Sequence, residues 1–341
     1  MQVVYSDRHH NHSPEHFLIH GARRANPEVP GRADALLTAV RNAGHELVEP
    51  RDYGPEPRAA VHTPEYLKFL TGIYQRWQQI EGASPEVVPN VHPNGRGGGY
   101  PDAPAGQAGF HMADTSCPIS AGTWPAACAS ANCAAHAAAL VAEGAGAAYA
   151  LCRPPGHHAF ADMAGGFCYL NNSAIAAQQL RRLASRVAIL DVDVHHGNGT
   201  QGIFYRRADV MTVSLHADPA VFYPFFWGYA EERGEEEGDG YNFNLPLSRG
   251  TGDNAYLAAL DTSLQRIRAF SPEFLVVALG LDAFEGDPFR GLSVSRSGFA
   301  RIGEAVGRLG LPTVLIQEGG YLTAELGANL IAWLGGFESV R

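Results

Sequence analysis

Residues 187–199 read VAILDVDVHHGNG and change abruptly from apolar to polar. The first part is an unbroken run of aliphatic residues without period-two alternation, a pattern typical of a strand buried on both faces. The second part holds aspartates, histidines and an asparagine, which serve proteins as metal ligands and proton-transfer groups. We therefore expect a buried strand whose carboxyl end carries functional side chains.

Four further apolar runs share this pattern, and helical patterns separate most of them. The runs are AAYALC (147–152), DVMTVSL (209–215), EFLVVALGLD (273–282) and PTVLIQEGG (312–320). Helical spacing covers residues 123–144, 171–184 and about 253–270, 297–309 and 323–334. This alternation predicts an α/β fold, a three-layer α/β/α arrangement around a central, mostly parallel sheet.

The first 80 residues add to the same pattern. They contain a strand, QVVYS (2–6), and two helices, RADALLTAVRNAG (32–44) and TPEYLKFLTGIYQRW (63–77). Residues 81–111 are crowded with Pro, Gly and Asn, and so long a loop inside a compact domain is usually functional or an interface arm. We expect a single domain over 1–341 with an insertion loop at about 81–111.

The composition excludes some classes of partner. A formal net charge of −10 lacks the basic surface that a nucleic-acid backbone requires, so we expect no nucleic-acid partner. The five cysteines form no CxxC pair, which indicates reduced thiols. The N-terminus has no signal-peptide pattern, and no apolar run approaches the length that spans a bilayer, so we expect a cytoplasmic protein without a membrane partner.

Ligand-type residues follow five of the expected strands. A single aspartate in such a place is commonly a helix cap or a turn former. Five strand ends of this kind together favour a metal site, because ligands bind at the carboxyl ends of parallel strands. The residues are His157, His158, Asp191, Asp193, His195, His196, Asn198, Ser214, Leu215, His216, Asp282, Glu318, Gly319, Gly320 and Tyr321.

Three of these residues form a candidate catalytic metal site. Asp193 and His195 are two apart and project to the same side of an extended chain. With Asp282 they make an Asp-His-Asp set that leaves a coordination position open, as a hydrolytic zinc site requires. A structural zinc site would use cysteines, and none is placed here.

The tandem histidines His157 and His158 are a candidate acid and base pair. Asp191 and Asn198 are candidate partners, and a carboxylate on one imidazole and an amide on the other would give the two rings different roles. In EGGY (318–321) the Tyr321 hydroxyl is placed to stabilise an oxyanion, the alternative being simple packing against the following helix.

Six ordered motifs resemble the histone deacetylase superfamily, and in particular its bacterial acetylpolyamine amidohydrolase branch. They are RPPGHHA (153–159), GGFCYLNN (165–172), LDVDVHHGNGTQ (190–201), VSLHADP (213–219), LGLDAFEGDP (279–288) and EGGY (318–321). The resemblance covers about residues 1–337 and implies the arginase/deacetylase-like fold. It also implies one catalytic Zn²⁺ per chain on Asp193, His195 and Asp282, although the sequence leaves iron(II) open as the native metal.

The resemblance also implies the remaining site roles. His158 is general base and acid, His157 paired with Asp191 gives electrostatic support, and Tyr321 polarises the carbonyl. A structural K⁺ is implied on the Asp191 carboxylate and backbone, the carbonyls of Asp193 and His195, Ser214 and Leu215, since oxygen ligands suit a hard cation. A second monovalent site is implied near Phe204 and Val210.

The substrate tunnel is implied less directly. Gly166, Phe167 and Tyr223 would wall a narrow tunnel for the acylated amine, and Arg32 would lie near its floor. For Phe167, Tyr223 and Arg32, ordinary packing remains the alternative. Residues 81–111 resemble the insertion through which the acetylpolyamine branch dimerises, so we expect a homodimer.

One position departs from the polyamine-selective pattern. Ala105 aligns where those proteins carry a carboxylate that holds a distant ammonium group, and Asp114 is the remaining acidic candidate. The natural substrate and its acyl-chain length therefore stay open.

The sequence favours a zinc-dependent amidohydrolase acting on a small N-acylated amine, such as an acetylpolyamine. The alternatives are a protein lysine deacetylase, a general or xenobiotic amidase, and a non-catalytic binder of acylated amines. A two-manganese ureohydrolase ranks lowest, because Asn198 and glycines stand where further aspartates would be needed.

Overall fold

A central sheet of eight strands organises the computed structural model, which describes residues 1–93, 95 and 98–341. The strand order is β4-β1-β5-β10-β9-β6-β7-β8, and every neighbouring pair in this sheet is parallel. Its strands are β1 (Gln2–Val4), β4 (Glu46–Val48), β5 (Ala147–Ala150), β6 (Val187–Asp191), β7 (Val210–Ala217), β8 (Asn242–Leu247), β9 (Phe274–Leu279) and β10 (Thr313–Gln317). A separate antiparallel pair is formed by β2 (His16–Ile19) and β3 (Ala22–Ala25).

Helices cover both faces of the sheet. They are α1 (Gly31–Asn42), α2 (Glu56–Ala59), α3 (Pro64–Trp77), α4 (Pro104–His111), α5 (Thr123–Ala142), α6 (Asn172–Leu180), α7 (Asn198–Phe204), α8 (Asp253–Phe270), α9 (Arg296–Gly307) and α10 (Leu326–Glu338). One apolar cluster lies between the sheet and α1, α8, α9 and α10, and a second lies between the sheet and α5 and α6. The expected three-layer α/β/α fold is confirmed.

Strand β6 shows why the apolar runs predicted buried strands. Ala188 and Leu190 belong to the first cluster, whereas Val187 and Ile189 belong to the second. Successive side chains of a strand point to opposite faces, and here both faces are covered by helices. The strand therefore has no polar alternation.

Edge strand β8 was missed by the sequence analysis. Its sequence NFNLPL contains two asparagines whose buried side-chain amides both donate to Gln201 Oε1, at 3.0 and 2.8 Å. A strand stabilised through buried amides does not read as an apolar run, and its proline is tolerated because the strand lies at the sheet edge. The three-residue strand β4 and the β2–β3 hairpin were also missed.

The segment at 81–111 is more ordered than the expected loop, and the loop boundary was wrong at its C-terminal end. Residues 104–111 form α4, which begins with Pro104, a residue suited to the first turn of a helix. Val87 pairs with Ile119 and is buried in a third apolar cluster with α3 residues. Asn94, Arg96 and Gly97 of the predicted insertion lie outside the described residues.

Helix α5 corrects the statement that no apolar run approaches the length of a bilayer span. The helix has 20 residues, and an 18-residue window of it has a mean hydropathy of 1.2, so by length and composition it could cross a membrane. However, 67% of the apolar window is buried inside the fold, as is usual for a core helix.

Strand register brings the polar strand ends together. Asp191 lies opposite Ala278 of β9 on one side and Ser214 of β7 on the other. Gln317, the last residue of β10, lies opposite Leu279 at the end of β9. The residues that follow these strands therefore meet at one edge of the sheet.

Candidate active site

The Asp-His-Asp set predicted from the sequence forms one buried cluster. His195 Nδ1 lies 3.1 Å from Asp193 Oδ1 and 3.2 Å from Asp282 Oδ2. Backbone amides orient the carboxylates: Val194 N donates to Asp282 Oδ1 at 3.0 Å, and Gly319 N donates to Asp193 Oδ2 at 2.7 Å. The loop after β6 and the ends of β9 and β10 thus assemble three metal-ligand side chains.

Two observations indicate that this cluster could bind a cation. Asp282 Oδ2 is buried and accepts no hydrogen bond from the described residues. A Cβ atom on Gly319 would lie 2.1 Å from that oxygen and 2.5 Å from Asp193 Oδ2, so the glycine leaves room beside both carboxylates. Burial and Asp193 raise the pKa of Asp282. Two buried carboxylates facing one imidazole lack a countercharge that a divalent cation would supply.

Glu318 holds the turn that carries the tandem histidines. Its Oε2 accepts from the backbone nitrogens of Gly156, at 2.6 Å, and His157, at 3.1 Å, while its Oε1 accepts from Ser173 Oγ at 2.9 Å. A Cβ on Gly156 would lie 2.4 Å from the Asn172 backbone nitrogen, so only glycine permits this close turn. Sequence analysis placed Glu318 at a strand end without recognising this role.

His157 and His158 have different partners, as predicted. His157 Nδ1 donates to Asp191 Oδ2 at 2.9 Å, and His158 Nδ1 donates to Asn198 Oδ1 at 2.8 Å. Against the effect of burial, the Asp193 and Asp191 carboxylates raise the pKa of His157 to about 10. Burial, His157 and His195 hold the pKa of His158 well below its usual range.

The surroundings of the two rings thus differ, since carboxylates favour the protonated form of His157 and burial favours the neutral form of His158. Because Nδ1 of His158 carries the proton donated to Asn198, its Nε2 is left as a proton acceptor. The Asn198 side chain orients His158 and offers no further carboxylate, which counts against the two-manganese ureohydrolase alternative at this position.

A backbone hydrogen bond and a cation–π contact with Arg32 position Tyr321. Its backbone nitrogen donates to Asp287 Oδ2 at 3.3 Å, and the Arg32 guanidinium carbon lies 4.9 Å from its ring centroid. The ring packs edge-on against Phe289 and Phe167, with centroids 4.7 and 6.1 Å apart. None of the hydrogen bonds found within 1–93, 95 and 98–341 uses the Tyr321 hydroxyl.

Arg32 lies behind Tyr321. It is buried, and it donates from Nη2 to the Glu318 carbonyl at 2.7 Å, from Nε to the Gly320 carbonyl and from Nη1 to Glu28 Oε1 at 2.7 Å. Through these hydrogen bonds the Arg32 guanidinium holds the backbone of the EGGY turn in place. Sequence analysis missed Glu28 and Asp287, although Asp287 stands within the quoted motif LGLDAFEGDP.

Two segments form aromatic walls next to His158. The Tyr223 ring lies 5.0 Å from the His158 ring, edge-on, and Phe167 packs against Phe17 at 5.8 Å. Phe167 has a φ of +69°, a strained conformation for a bulky residue. A Cβ on Gly166 would lie 2.4 Å from His158 Cδ2, so the backbone of this wall directly contacts the base.

Three of the residues expected to bind K⁺ lie on adjacent strands, and the other two, Asp193 and His195, follow β6. Asp191 of β6 pairs with Ser214 of β7, which precedes Leu215, and all three are buried. Ser214 Oγ also lies 2.8 Å from His216 Nδ1. Phe204 and Val210 are both buried in the cluster beneath α5 and α6.

Two other groups bring metal-ligand side chains together among the described residues. His157, Cys168 and Glu318 form one, but the Glu318 carboxylate is occupied by backbone amides and Ser173. His9, His10 and Asp34 form the other, and His10 and Asp34 are exposed. The buried Asp193 cluster is thus the better candidate for a catalytic metal.

A parallel α/β sheet whose carboxyl edge joins an Asp-His-Asp cluster to two differently paired histidines is an arrangement typical of α/β metallohydrolases. Residues 26–335 match the model of the histone deacetylase domain. Acetylpolyamine amidohydrolase 1 of Pseudomonas aeruginosa is 46% identical over 99% of both chains, and acetylpolyamine amidohydrolase of Mycoplana ramosa is 42% identical over 98% of this chain and 99% of its own. The crystal structure of acetylpolyamine aminohydrolase from Burkholderia pseudomallei superposes with a TM-score of 0.97 at 45% identity, covering 100% of this chain and 99% of that one.

The chain therefore belongs to the histone deacetylase family, in its bacterial acetylpolyamine amidohydrolase branch, and is a hydrolase of amide C–N bonds. The resemblance found in the six motifs is confirmed.

Proposed function

We propose that this protein is a zinc-dependent amidohydrolase that removes the acyl group from a small N-acylated amine, with acetylpolyamines as the leading substrate class. The observation that carries the proposal is the neutral His158 next to the buried Asp193 cluster and between aromatic walls. The names of the relatives favour the acetylpolyamine class.

The chain's own residues account for proton movement. A zinc ion held by Asp193, His195 and Asp282 would act as a Lewis acid towards water and the substrate carbonyl. His158 Nε2 accepts the proton of the attacking water and returns it to the leaving amine, while its Nδ1 stays fixed on Asn198.

Two further groups act on the charge that develops during the reaction. The cationic His157 ring, 4.0 Å from the His158 ring, favours negative charge nearby. The Tyr321 hydroxyl donates to the substrate carbonyl oxygen as that oxygen becomes an anion.

Several finer features belong to the same proposal. A structural K⁺ would lie at Asp191, Ser214, Leu215 and the carbonyls of Asp193 and His195, and the pairing of Asp191 with Ser214 on adjacent strands supports it. A homodimer through the 81–111 insertion is supported by the exposed side chains of Val91 and Tyr100 in that segment. A cytoplasmic location belongs to the proposal on the sequence alone.

A general amidase is the second candidate. Ala105 lies on α4 and packs against the third apolar cluster, so it offers no charge to a distant ammonium group. This observation favours neutral amides as competing substrates.

Initial rates on a substrate panel test the proposal. The zinc-loaded protein is expected to hydrolyse N-acetylputrescine and N-acetylcadaverine faster than an acetyl-lysine peptide or an aryl acetamide. Tyr321→Phe is expected to lower kcat by about a hundred- to a thousandfold while the zinc content stays unchanged, because the hydroxyl stabilises the oxyanion and is no ligand. Tyr74→Phe, a tyrosine packed against the third cluster, is the control.

Faster hydrolysis of the aryl acetamide would favour the general amidase. A zinc-loaded protein inert on every amide would overturn the proposal in favour of a non-catalytic binder.

A further inference from the structure

Asp114 joins the two walls beside His158. Its Oδ2 accepts a hydrogen bond from the Tyr223 hydroxyl at 2.6 Å and another from the Gly166 backbone nitrogen at 3.1 Å. Its Oδ1 accepts from the Ser116 backbone nitrogen at 2.7 Å. Three donors thus converge on one carboxylate.

The joined walls come from distant parts of the chain. Gly166 precedes Phe167 on the segment after the tandem histidines, whereas Tyr223 follows β7. A Cβ on Gly166 would lie 2.9 Å from the Tyr223 oxygen, so the walls approach within contact distance at this point. The Asp114 hydrogen bonds to both walls therefore fix the distance between them at this point.

The bonding of Asp114 limits what else its carboxylate can do. An ionised carboxylate offers about four acceptor positions, and two on Oδ2 and one on Oδ1 are used within the chain. Burial and Asp114 raise the pKa of Tyr223 well above its usual range, so the phenol remains a donor to this carboxylate.

We propose that Asp114 is a positioning residue that fixes the Gly166–Phe167 wall against the Tyr223 wall, and that it does not serve as the ligand of a distant substrate ammonium group. This inference rests on the proposed amidohydrolase function. It assigns to Asp114 an effect on any acyl amine that enters the tunnel, charged or neutral.

Two matched substrates separate positioning from charge recognition. N-acetylputrescine carries a terminal ammonium, and N-pentylacetamide has the same chain with a methyl group in its place. Values of kcat and KM for both are measured on wild type, Asp114→Asn, Tyr223→Phe and the double variant. Asp239→Asn, an exposed carboxylate in the loop before β8, is the control.

Positioning predicts that Asp114→Asn and Tyr223→Phe each lower kcat/KM by about ten- to a hundredfold on both substrates, as expected for a lost buried hydrogen bond to a charged group. The ratio of kcat/KM between the two substrates should stay within about twofold of wild type. The kcat/KM of the double variant should be no lower than that of the more impaired single variant, because both changes break the same hydrogen bond between Tyr223 and Asp114.

Charge recognition predicts the opposite pattern. In that case Asp114→Asn would raise KM for N-acetylputrescine alone, and Tyr223→Phe would leave both substrates unaffected. This result would overturn the inference and leave the amidohydrolase function standing. Wild-type inactivity on both substrates and on the aryl acetamide would overturn the function itself and the inference with it. Zinc content and the urea midpoint of each variant identify misfolding, and Tyr223→Phe keeps the test decisive if Asp114→Asn misfolds.

Discussion

The tandem histidines show how two neighbouring residues acquire different chemistry from their contacts. His157 faces the carboxylates of Asp193 and Asp191, which raise its pKa, whereas His158 is buried beside two other imidazoles, which lower its pKa. At the scale of single residues, burial and the charges around each ring thus favour His158 as the base, while the Asn198 amide orients it.

Gly319 provides a test of the metal site through a residue that is no ligand. We expect Gly319→Ala to lose bound zinc, because its Cβ would lie 2.1 Å from Asp282 Oδ2 and would displace the ligand carboxylates. Zinc per chain is measured by atomic emission after dialysis.

Gly335→Ala is the matched control, since a Cβ there has no neighbour within 4 Å. A Gly319→Ala protein that kept one zinc per chain with wild-type affinity would show that the cluster is not the metal site.

At the scale of elements, helices α9 and α10 pack backbone to backbone through glycines. A Cβ on Gly336 of α10 would lie 1.9 Å from the Ala300 carbonyl oxygen of α9, and one on Gly303 of α9 would lie 2.0 Å from the Trp333 carbonyl oxygen. These close contacts let the two helices cover one face of the sheet together.

Adjacent glycines of α10 should respond oppositely to the same substitution. Gly336→Ala is expected to lower the free energy of unfolding by about 3 kcal/mol, because the added methyl group forces the helices apart. Gly335→Ala should raise it by up to about 1 kcal/mol, since alanine is the better helix former and the site is open. Urea unfolding of both variants measures the difference, and equal midpoints would contradict the described packing.

Elements also differed in how well the sequence predicted them. Strand β6 was recognised because helices cover both of its faces, so every position is apolar. Strand β8 was not, because Asn242 and Asn244 are buried on partners such as Gln201 that lie 41 and 43 residues away. The local pattern of apolar residues indicates which strands are buried by apolar contacts. It does not indicate strands whose polar side chains are buried through hydrogen bonds to distant residues.

At the scale of the whole molecule, a buried network of ion pairs connects the N-terminal region to the site. Glu28 Oε1 lies 2.7 Å from Arg32 Nη1 and 2.8 Å from Arg153 Nε. Arg32 holds the EGGY turn, and Arg153 begins the turn of the tandem histidines. Arg153 and Arg32 lower the pKa of Glu28 against the effect of burial, so the group is ionised in the folded protein.

A buried neutral histidine predicts how global stability depends on pH. His62 Nδ1 donates to the Phe160 carbonyl and its Nε2 accepts from the Asn171 backbone nitrogen, both at 3.0 Å. Burial lowers the pKa of His62 to about 4. Between this value and the unfolded pKa of about 6.5, the unfolded chain binds more protons, so stability falls as pH falls.

The contribution of His62 to this slope should approach about 1.4 kcal/mol per pH unit within that window. Urea unfolding at pH 7.5, 6.0 and 5.0 measures it, with His62→Gln expected to show a shallower loss than wild type. An unchanged slope in His62→Gln would contradict the assignment.

The sequence by itself determined the α/β class and most of the central strands. It also placed the tandem histidines, the Asp193 and His195 spacing, and Asp282 and Tyr321 after their strands. These features are local, because strand burial and the position of a residue after a strand are visible within about ten residues. Only the tertiary structure decided which residues act together.

Asp282 meets Asp193 through strand register, Glu318 reaches Gly156, and Asp114 joins Gly166 to Tyr223 across the chain. Such pairs depend on strand order and packing, which bring together residues that no local pattern relates.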